Sequence, residues 1–304
     1  MNERLPSWRE GSTRDAILGF LDGLGDVPVE DRVAYFDNDG TLWTEKPSYV
    51  QLDFFVDALQ RRAAADSTIR DRPEFAAVLD HDAEAMGEIG IERVALALAG
   101  LFDGMTPGEF ASAAAAFLEG YRHRTLGCGL SGIVYQPMLE LLDELRALDF
   151  TIGIVTGGGT EFVRALSESL YGVPAELVVG TLIGYEFVRD DAGRPGLRRS
   201  TELSVVANEG PAKVEHIQRQ LGRRPIIAGG NSAGDGEMLE WAMAGPHPGL
   251  AILVDHDDGE REFAYESTAA TFEHTEKITD VADRLGWVTV SMADDWATVF
   301  PGDG

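Results

Sequence analysis

Cysteine is almost absent from this sequence, which has a single one, Cys128, among 304 residues. One cysteine excludes an internal disulfide framework and a multi-thiolate metal site. Long apolar runs are also missing, because none approaches the roughly 20 residues that a membrane span needs. Charges interrupt the N-terminal stretch MNERLPSWREGSTRDAILGF, which predicts that it is not a signal peptide. We therefore expect a cytoplasmic protein.

Positive charge is scarce as well. The chain has 25 Lys and Arg against 52 Asp and Glu, a formal net charge of −27. Such a surface repels nucleic acid backbones and anionic membranes, so neither is an expected partner. If the protein handles phosphate, its few cations must be concentrated at the site, because an anionic substrate has to enter a negative field.

Strands alternate with helices over much of the chain, which predicts an α/β fold with a doubly wound parallel sheet. The strand runs are apolar on both faces, as in a sheet covered on both sides. A hairpin-like excursion is expected over 181–203, and a helix near 275–285. The predicted strands are RVAYF (32–36), FTIGIVT (150–156), ELVVG (176–180), PIIAGG (225–230), GLAILV (249–254) and GWVTVSM (286–292).

The segment between the first two strands is helical by pattern. It contains YVQLDFFVDALQRRAAA, ERVALALAGLF and TPGEFASAAAAFLEGY, with no strand-like run between them. We therefore predict two domains: an α/β core made of residues 1–44 and 129–304, and an inserted helical domain over residues 45–128.

Polar side chains follow three of the predicted strands. In an open parallel sheet, ligands bind beyond the carboxyl ends of the strands, so we expect these residues to converge at one edge. Taken singly, each group could be structural, since Asp and Asn also cap turns and helices. The groups are DNDGT (37–41), TGGG (156–159) and NSAGD (231–235), the last two opening a helix, together with Lys213 at the start of another helix.

The chemistry of these residues is complementary. Asp37, Asp39 and Asp235 offer hard oxygen atoms suited to Mg²⁺. Thr156 supplies a hydroxyl, and the N–H groups of the following glycines form a natural seat for an anion. Lys213 supplies a positive charge. A metal, an anion cradle and a cation are together what phosphoryl transfer requires.

These motifs resemble those of the haloacid dehalogenase-like hydrolase superfamily, on its phosphatase side. The four signatures appear here as DNDGT, IVTGGG, Lys213 and GNSAGD. The segment TGGGTEFVRAL is similar to phosphoserine phosphatases, which carry a helical cap between the first two signatures, and residues 45–128 fit that cap. The resemblance implies a Rossmann-like core and a magnesium-dependent phosphatase that acts on a small phosphorylated metabolite.

The resemblance also implies roles for single residues. Asp37 would be the nucleophile that becomes the aspartyl-phosphate, and Asp39 the general acid and base. Lys213 would screen Asp37 from the anionic substrate. The remaining roles are phosphate binding by Thr156 and the N–H of Gly157, binding of a substrate amine by Glu45, and a metal site built from Asp37, Asp39, Asn231 and Asp235.

The chain departs from the family pattern at Asn231, which stands where the fourth signature has its first acid. An amide oxygen can ligate Mg²⁺ but carries no charge, so either Asn231 or Asp235 could be the direct ligand. The open alternatives are a phosphomutase, a dehalogenase of the same superfamily and a phosphate-binding protein that has lost its chemistry. A calcium loop over DHDDGEREFAYE (255–266) is disfavoured, because its glycine is one place early for an EF-hand.

Overall fold

The runs predicted as strands form a six-stranded sheet in the computed structural model, which describes residues 4–204, 206–269 and 276–302. The sheet order is β3-β2-β1-β6-β7-β8, and strands β4 and β5 form a separate two-stranded hairpin. The strands are β1 (Val33–Phe36), β2 (Thr151–Gly159), β3 (Val178–Thr181), β4 (Ile183–Arg189), β5 (Pro195–Leu203), β6 (Ile227–Gly230), β7 (Leu250–Asp255) and β8 (Val288–Ser291).

Helices occupy most of the remaining chain. Three-residue to five-residue 3-10 turns cover Leu24–Asp26, Val29–Asp31, Ser67–Asp71, Gly100–Phe102, Leu130–Gly132, Ala175–Leu177 and Ala233–Asp235. The α-helices are α1 (Ser12–Asp22), α2 (Val50–Ala65), α3 (Pro73–Leu79), α4 (Ala83–Ile89), α5 (Ile91–Ala99), α6 (Pro107–Gly120), α7 (Gln136–Ala147), α8 (Thr160–Arg164), α9 (Ser167–Tyr171), α10 (Pro211–Gln220), α11 (Gly236–Met243), α12 (Ile278–Leu285) and α13 (Met292–Asp295).

Parallel pairing joins β1 to β2 and β6, and β7 to β6 and β8, which confirms the predicted doubly wound sheet. The chain leaves β1 towards β3 on one side and returns to β6 on the other. The sheet therefore has its topological switch point between β1 and β6, where ligands bind in such folds. The predicted hairpin is observed as β4 and β5. The helix predicted near 275–285 is observed from Ile278, and residue 275 lies outside the described residues.

Bulky side chains of β1 are matched by glycines on its neighbours. Tyr35 is in register with Gly153 of β2, and Phe36 with Gly229 of β6. A Cβ atom on Gly153 would lie 2.3 Å from the Tyr35 ring, and one on Gly229 would lie 2.5 Å from the Phe36 ring. The two aromatic rings can thus lie against the neighbouring backbones, which keeps all four residues of β1 buried.

The chain divides into two compact units. Unit 1 comprises residues 1–47, 121–180 and 207–304, and it contains the six-stranded sheet except Thr181, the last residue of β3. Helices α10, α11 and α12 pack on this sheet through apolar side chains. This core cluster includes Val33, Tyr35, Val155, Val179, Ile217, Ala228, Met238, Leu239, Ala242, Ala251, Leu253, Ile278, Ala282 and Trp287.

Unit 2 comprises residues 48–120 and 181–206. An aromatic cluster holds its helices together: the rings of Phe54 and Phe102 stack with centroids 4.9 Å apart, and Phe110 meets both edge-on. The hairpin joins the helices because the backbone N–H of Arg199 donates to Met105, and its guanidinium lies 3.9 Å above the Phe110 ring. The sequence placed residues 181–203 in the core domain, since such long-range contacts leave no local pattern.

Candidate active site

Asp37 follows β1 directly, at the switch point of the sheet. Its backbone N–H donates to Gly229 of β6 at 2.9 Å, so the residue continues the strand pairing, and its side chain is buried. The ammonium group of Lys213, near the start of α10, lies 2.6 Å from Asp37 Oδ1. The same ammonium lies 2.6 Å from Oδ1 of Asp235, so one buried cation binds two buried carboxylates.

The second oxygen of Asp235 is already engaged. Oδ2 accepts hydrogen bonds from the backbone N–H groups of Asn231 and Ser232, at 3.1 Å each, and from the Ser232 hydroxyl at 3.2 Å. Asp235 therefore closes the turn after β6 and anchors Lys213. Both of its carboxylate oxygens are occupied by these contacts.

Asp39 is contacted by neutral donors. The indole N–H of Trp43 donates to Oδ1 at 2.8 Å, and the Thr156 hydroxyl lies 3.4 Å from Oδ2. Trp43 is fully buried and reaches Asp39 because the backbone turns back on itself, with the N–H of Gly40 donating to the Trp43 carbonyl. Asp37 and Asp39 are two residues apart, but they lie in different electrostatic surroundings.

Gly40 is required by that turn. It has a φ of +81°, in the region that favours glycine, and a Cβ atom there would lie 2.1 Å from Nδ2 of Asn231. The neighbouring Thr41 hydroxyl lies 3.5 Å from Asp37 Oδ2 and 3.4 Å from Asn231 Oδ1. Oδ2 of Asp37, after β1, and Oδ1 of Asn231, after β6, therefore both face the Thr41 hydroxyl.

Thr156 is fixed from both sides. Its hydroxyl accepts a hydrogen bond from the N–H of Gly158 at 3.0 Å, and its carbonyl accepts one from Asn208 Nδ2 at 2.8 Å. Asn208 is held in turn by the ring of His216, at 2.8 Å. The glycines after Thr156 remain in β2, which runs through Gly159, and the helix expected at this point, α8, begins directly after them at Thr160.

Burial shapes the ionisation of the site. It raises the pKa of Asp37 well above the usual range, and the charges of Asp235 and Asp39 add to this while Lys213 opposes it. Burial also raises the pKa of Asp39, although the hydrogen bonds from Trp43 and Asn38 lower it in part. For Lys213, burial lowers the pKa, but Asp235 and Asp37 outweigh it and the net shift is upward. Lys213 therefore stays charged.

Oxygen donors suited to a hard cation are present, but they are not a carboxylate cluster. Among the residues that the structure describes, no three His, Cys, Asp or Glu side chains are grouped to hold a metal ion. One carboxylate oxygen and one amide oxygen converge instead on Thr41, from Asp37 and Asn231. Mg²⁺ keeps several waters and uses few protein ligands, so this donor set fits it.

A family model described as haloacid dehalogenase-like hydrolase matches residues 34–240, which is more than half of the chain. The chain belongs to the haloacid dehalogenase-like hydrolase family. The matched part begins in β1 and contains all four motifs that indicated the resemblance, which is thereby confirmed. No curated protein matches the sequence. No helix within the described residues has the length and apolar character for crossing a membrane.

Solved structures of similar fold include a Bordetella pertussis Tohama I protein titled as having unknown function. It is 17% identical, with a TM-score of 0.51, over 85% of this chain and 97% of that one. A phosphoserine phosphohydrolase-like protein from Francisella tularensis subsp. tularensis SCHU S4 is 15% identical, with a TM-score of 0.40, over 83% and 99%. A structure titled phosphoserine phosphatase in apo form is 16% identical, with a TM-score of 0.37, over 74% and 86%. At these identities the first likeness supports the fold of this family member.

The structure brings most of the predicted site residues of this hydrolase together. Hydrogen bonds and ion pairs connect Lys213 to Asp37 and Asp235, and a hydrogen bond connects Thr156 to Asp39. Glu45 is buried and pairs with Lys46, whose ammonium lies 3.9 Å from the Glu45 carboxylate. Burial raises the pKa of Glu45. Gly157 follows Thr156 in the extended part of β2.

Several residues around the site were missed by the sequence interpretation: Thr41, Trp43, Asn208, His256 and Glu262. One signal could have identified His256, because it directly follows β7 just as Asp37 follows β1. In the segment 255–266, where the sequence disfavours a calcium loop, two carboxylates bind groups of the protein. Asp257 accepts from Ser291 and Ala293, and Asp258 from Arg261.

Proposed function

We propose that this hydrolase is a magnesium-dependent phosphatase that removes a phosphoryl group from a small phosphorylated metabolite, with Asp37 as the nucleophile. One observation carries the proposal: Asp37 contacts the ammonium of Lys213, whereas Asp39 receives hydrogen bonds from neutral donors. Burial raises the pKa of both acids; the Lys213 ammonium opposes this at Asp37 and favours its carboxylate, while a buried carboxyl among neutral donors, such as Asp39, can retain a proton. Two acids in different surroundings are suited to two roles.

The reaction proceeds in two steps. A carboxylate oxygen of Asp37 attacks phosphorus, the bond from phosphorus to the ester oxygen breaks, and Asp39 gives its proton to the departing oxygen. Asp39, now a carboxylate, then takes a proton from a water molecule whose oxygen attacks the same phosphorus. Inorganic phosphate leaves, and the Asp37 carboxylate and the Asp39 proton are restored.

The phosphoryl group needs positive charge and hydrogen-bond donors in this acidic protein. Lys213 supplies the charge, and Thr156 with the N–H of Gly157 would bind phosphoryl oxygens. We assign the metal ligands as the Asp37 carboxylate, the main-chain oxygen of Asp39 and the amide oxygen of Asn231. Asp235 is left out because its Oδ1 binds Lys213 and its Oδ2 accepts three hydrogen bonds, whereas Oδ2 of Asp37 faces the Thr41 hydroxyl at 3.5 Å. The ion, when bound, would neutralise charge on the phosphoryl oxygens.

Substrate choice is proposed to reside in unit 2, the counterpart of the predicted cap over 45–128. The chain enters this unit soon after the motif with Asp37 and Asp39, and leaves it before β2. Removing 48–120 and 181–206 together, with short Gly-Ser linkers, is the matched deletion because the hairpin packs on those helices. The remaining sheet, verified by circular dichroism, should lose its preference among phosphate esters. An unchanged substrate ranking would place specificity in unit 1.

The activity is tested by measuring inorganic phosphate released from a panel of small phosphate esters, with Mg²⁺ and with chelator. We expect release with Mg²⁺ from the wild-type protein and none from Asp37→Asn. After acid quenching, the peptide that contains Asp37 should carry one added phosphoryl group. Phosphate release by a folded Asp37→Asn variant would exclude the covalent route. Transfer of the phosphoryl group to a second site on the substrate without release would indicate a phosphomutase.

A further inference from the structure

His256 and Glu262 form a buried pair next to the candidate active site. His256 Nδ1 lies 3.3 Å from Glu262 Oε2, and both side chains have no solvent exposure. The two residues lie beyond residue 240, outside the part of the chain that the family model matches. None of the roles described above uses them. Burying polar groups is costly unless they are hydrogen-bonded, so the contacts of this pair indicate its role.

Glu262 is held as a carboxylate by the groups around it. The backbone N–H of Phe263, which can only donate, lies 2.6 Å from Oε2, and the hydroxyl of Tyr135 lies 3.0 Å from Oε1. The Thr44 hydroxyl also donates to Oε1. Burial raises the pKa of Glu262, but the contacts with His256 and these hydrogen bonds outweigh it and lower the pKa below its usual value.

The other end of the His256 ring contacts the turn that follows Asp39. Nε2 lies 2.8 Å from the carbonyl oxygen of Gly40, an acceptor only, so this nitrogen carries the hydrogen and donates it. The ring orientation is fixed further by Tyr265, whose ring stacks on His256 with centroids 4.4 Å apart. His256 therefore links the Glu262 carboxylate to the one glycine that this turn requires.

Asn231 lies against the same ring. Its Nδ2 is 3.5 Å from His256 Nε2 and 3.3 Å from the hydroxyl of Ser267. A carboxylate at position 231 would accept a hydrogen bond from the ring N–H, in competition with the Gly40 carbonyl. The uncharged amide leaves the histidine bonded to Gly40. The asparagine at position 231, which departs from the family pattern, is therefore compatible with the hydrogen bond from His256 to Gly40.

We propose that His256 and Glu262 are positioning residues for the reaction: through the Gly40 carbonyl they hold the turn that sets the place of Asp39. The inference rests on the proposed function for its kinetic consequence, but not for its structural one. If the turn shifts, Asp39 no longer meets the ester oxygen correctly, while the Lys213 and Thr156 contacts that bind phosphate remain. The loss should therefore appear in kcat and much less in KM.

The test compares His256→Phe, His256→Gln and Glu262→Gln with the wild-type protein. Phenylalanine removes the donor to Gly40, whereas glutamine can place an amide N–H near the position of Nε2. Glu266→Gln is the matched control, because it removes the same charge from the same segment at a half-exposed side chain paired with Lys277. For each folded variant, kcat and KM are measured for one phosphate ester with Mg²⁺.

We expect His256→Phe to lower kcat by about 10-fold to 100-fold with KM within about threefold, and Glu262→Gln to act in the same direction. His256→Gln should recover most of the loss, and Glu266→Gln should match wild type. If His256→Phe does not fold, the kcat of Glu262→Gln tests the proposal. A folded variant of either residue with wild-type kcat, or an equal loss in Glu266→Gln, would overturn the proposal.

Hydrogen–deuterium exchange gives a second readout that needs no turnover. The amides of residues 38–43 should exchange faster in His256→Phe than in wild type, and return towards wild type in His256→Gln. This result separates the two proposals: without any phosphatase activity the proposed function fails, yet the exchange data still decide whether the pair holds the turn. Unchanged exchange over 38–43 in His256→Phe would refute the positioning role.

Discussion

Asp37 and Asp235 share the ammonium group of Lys213, whose Nζ lies 2.6 Å from one carboxylate oxygen of each. All three side chains are buried, so one cation stands against two carboxyl groups. Loss of the cation would leave two buried carboxylates facing each other, whereas loss of Asp37 would leave a balanced pair. The two kinds of variant should therefore differ in stability as well as in activity.

Lys213→Met should be strongly destabilising. Removing one partner of a buried ion pair costs about 3–5 kcal/mol, because the remaining charges are left uncompensated. Urea denaturation of the metal-free protein measures the free energy of unfolding. Arg219→Met, on the same helix, is the control, since Arg219 forms an exposed pair with Glu215. A Lys213→Met variant as stable as the control would show that the carboxylates do not depend on this cation.

Asp37→Asn should gain stability relative to wild type as the pH rises. Burial raises the pKa of Asp37, so the folded state binds this proton more tightly than the unfolded chain does. Stability from that proton is present below about pH 4 and is lost as the pH rises through the folded-state pKa. Asparagine does not titrate in this range.

The check is the difference in unfolding free energy between variant and wild type, measured from about pH 4 to pH 8 without metal. The difference should widen in favour of Asp37→Asn, by about 1.4 kcal/mol for each unit by which the pKa is raised. Carboxylates remote from Asp37 titrate equally in both proteins and cancel, whereas Asp39 and Asp235 interact with Asp37 and contribute to the difference. A difference that stays constant or reverses would mean that the folded state does not raise the pKa of Asp37.

Asp39→Asn should slow both chemical steps, because the same group gives the first proton and takes the second. General acid–base catalysis contributes about 10²-fold to 10⁴-fold, and kcat should fall by a factor in that range. With an aryl phosphate the leaving group needs no proton, so the first step recovers and phosphorylated protein should accumulate. Rapid-quench mass analysis detects it. Full turnover of an alkyl phosphate by Asp39→Asn would remove this residue from the mechanism.

The Mg²⁺ concentration that the enzyme needs should depend on the side chain at position 231. We expect Asn231→Ala to raise the Mg²⁺ concentration for half-maximal activity, and to weaken Mg²⁺ binding in calorimetry, by about tenfold. Loss of one ligand contact of about 1.4 kcal/mol corresponds to such a change. Ser232→Ala is the neighbouring control, since its hydroxyl contacts Asp235 and not Asp37. Equal Mg²⁺ affinity in Asn231→Ala and wild type would exclude the amide as a ligand.

Local pattern predicted the sheet and the residues at its carboxyl edge. Strand β1 is a run of apolar residues that ends at Asp37, and its position follows from composition alone. Parallel topology then places Asp37, Thr156 and Asn231 at one edge without knowledge of any contact. What the sequence left open was which of Asn231 and Asp235 offers an oxygen to a metal, because this depends on where Lys213 and the Ser232 N–H point.

Contacts between distant parts of the chain could not be predicted. The bond between Thr44 and Glu262 joins residues 218 positions apart, and it leaves no periodicity in either segment. Docking of the hairpin on the helices of unit 2 depends likewise on Arg199 meeting Phe110. The extended course of residues 157–159 was not predicted, because the strand was expected to end at Thr156. Tertiary packing decides all three.

Trp43 gives the protein an optical consequence that is independent of any assay. Its indole nitrogen donates to Asp39, so one end of a buried fluorophore touches the group that we propose exchanges a proton in each catalytic cycle. Indole emission responds to nearby charge, and its wavelength should therefore shift when Asp39 changes its protonation state. In a protein whose other tryptophans are replaced by phenylalanine, stopped-flow fluorescence could follow single turnovers of unlabelled substrates as they occur.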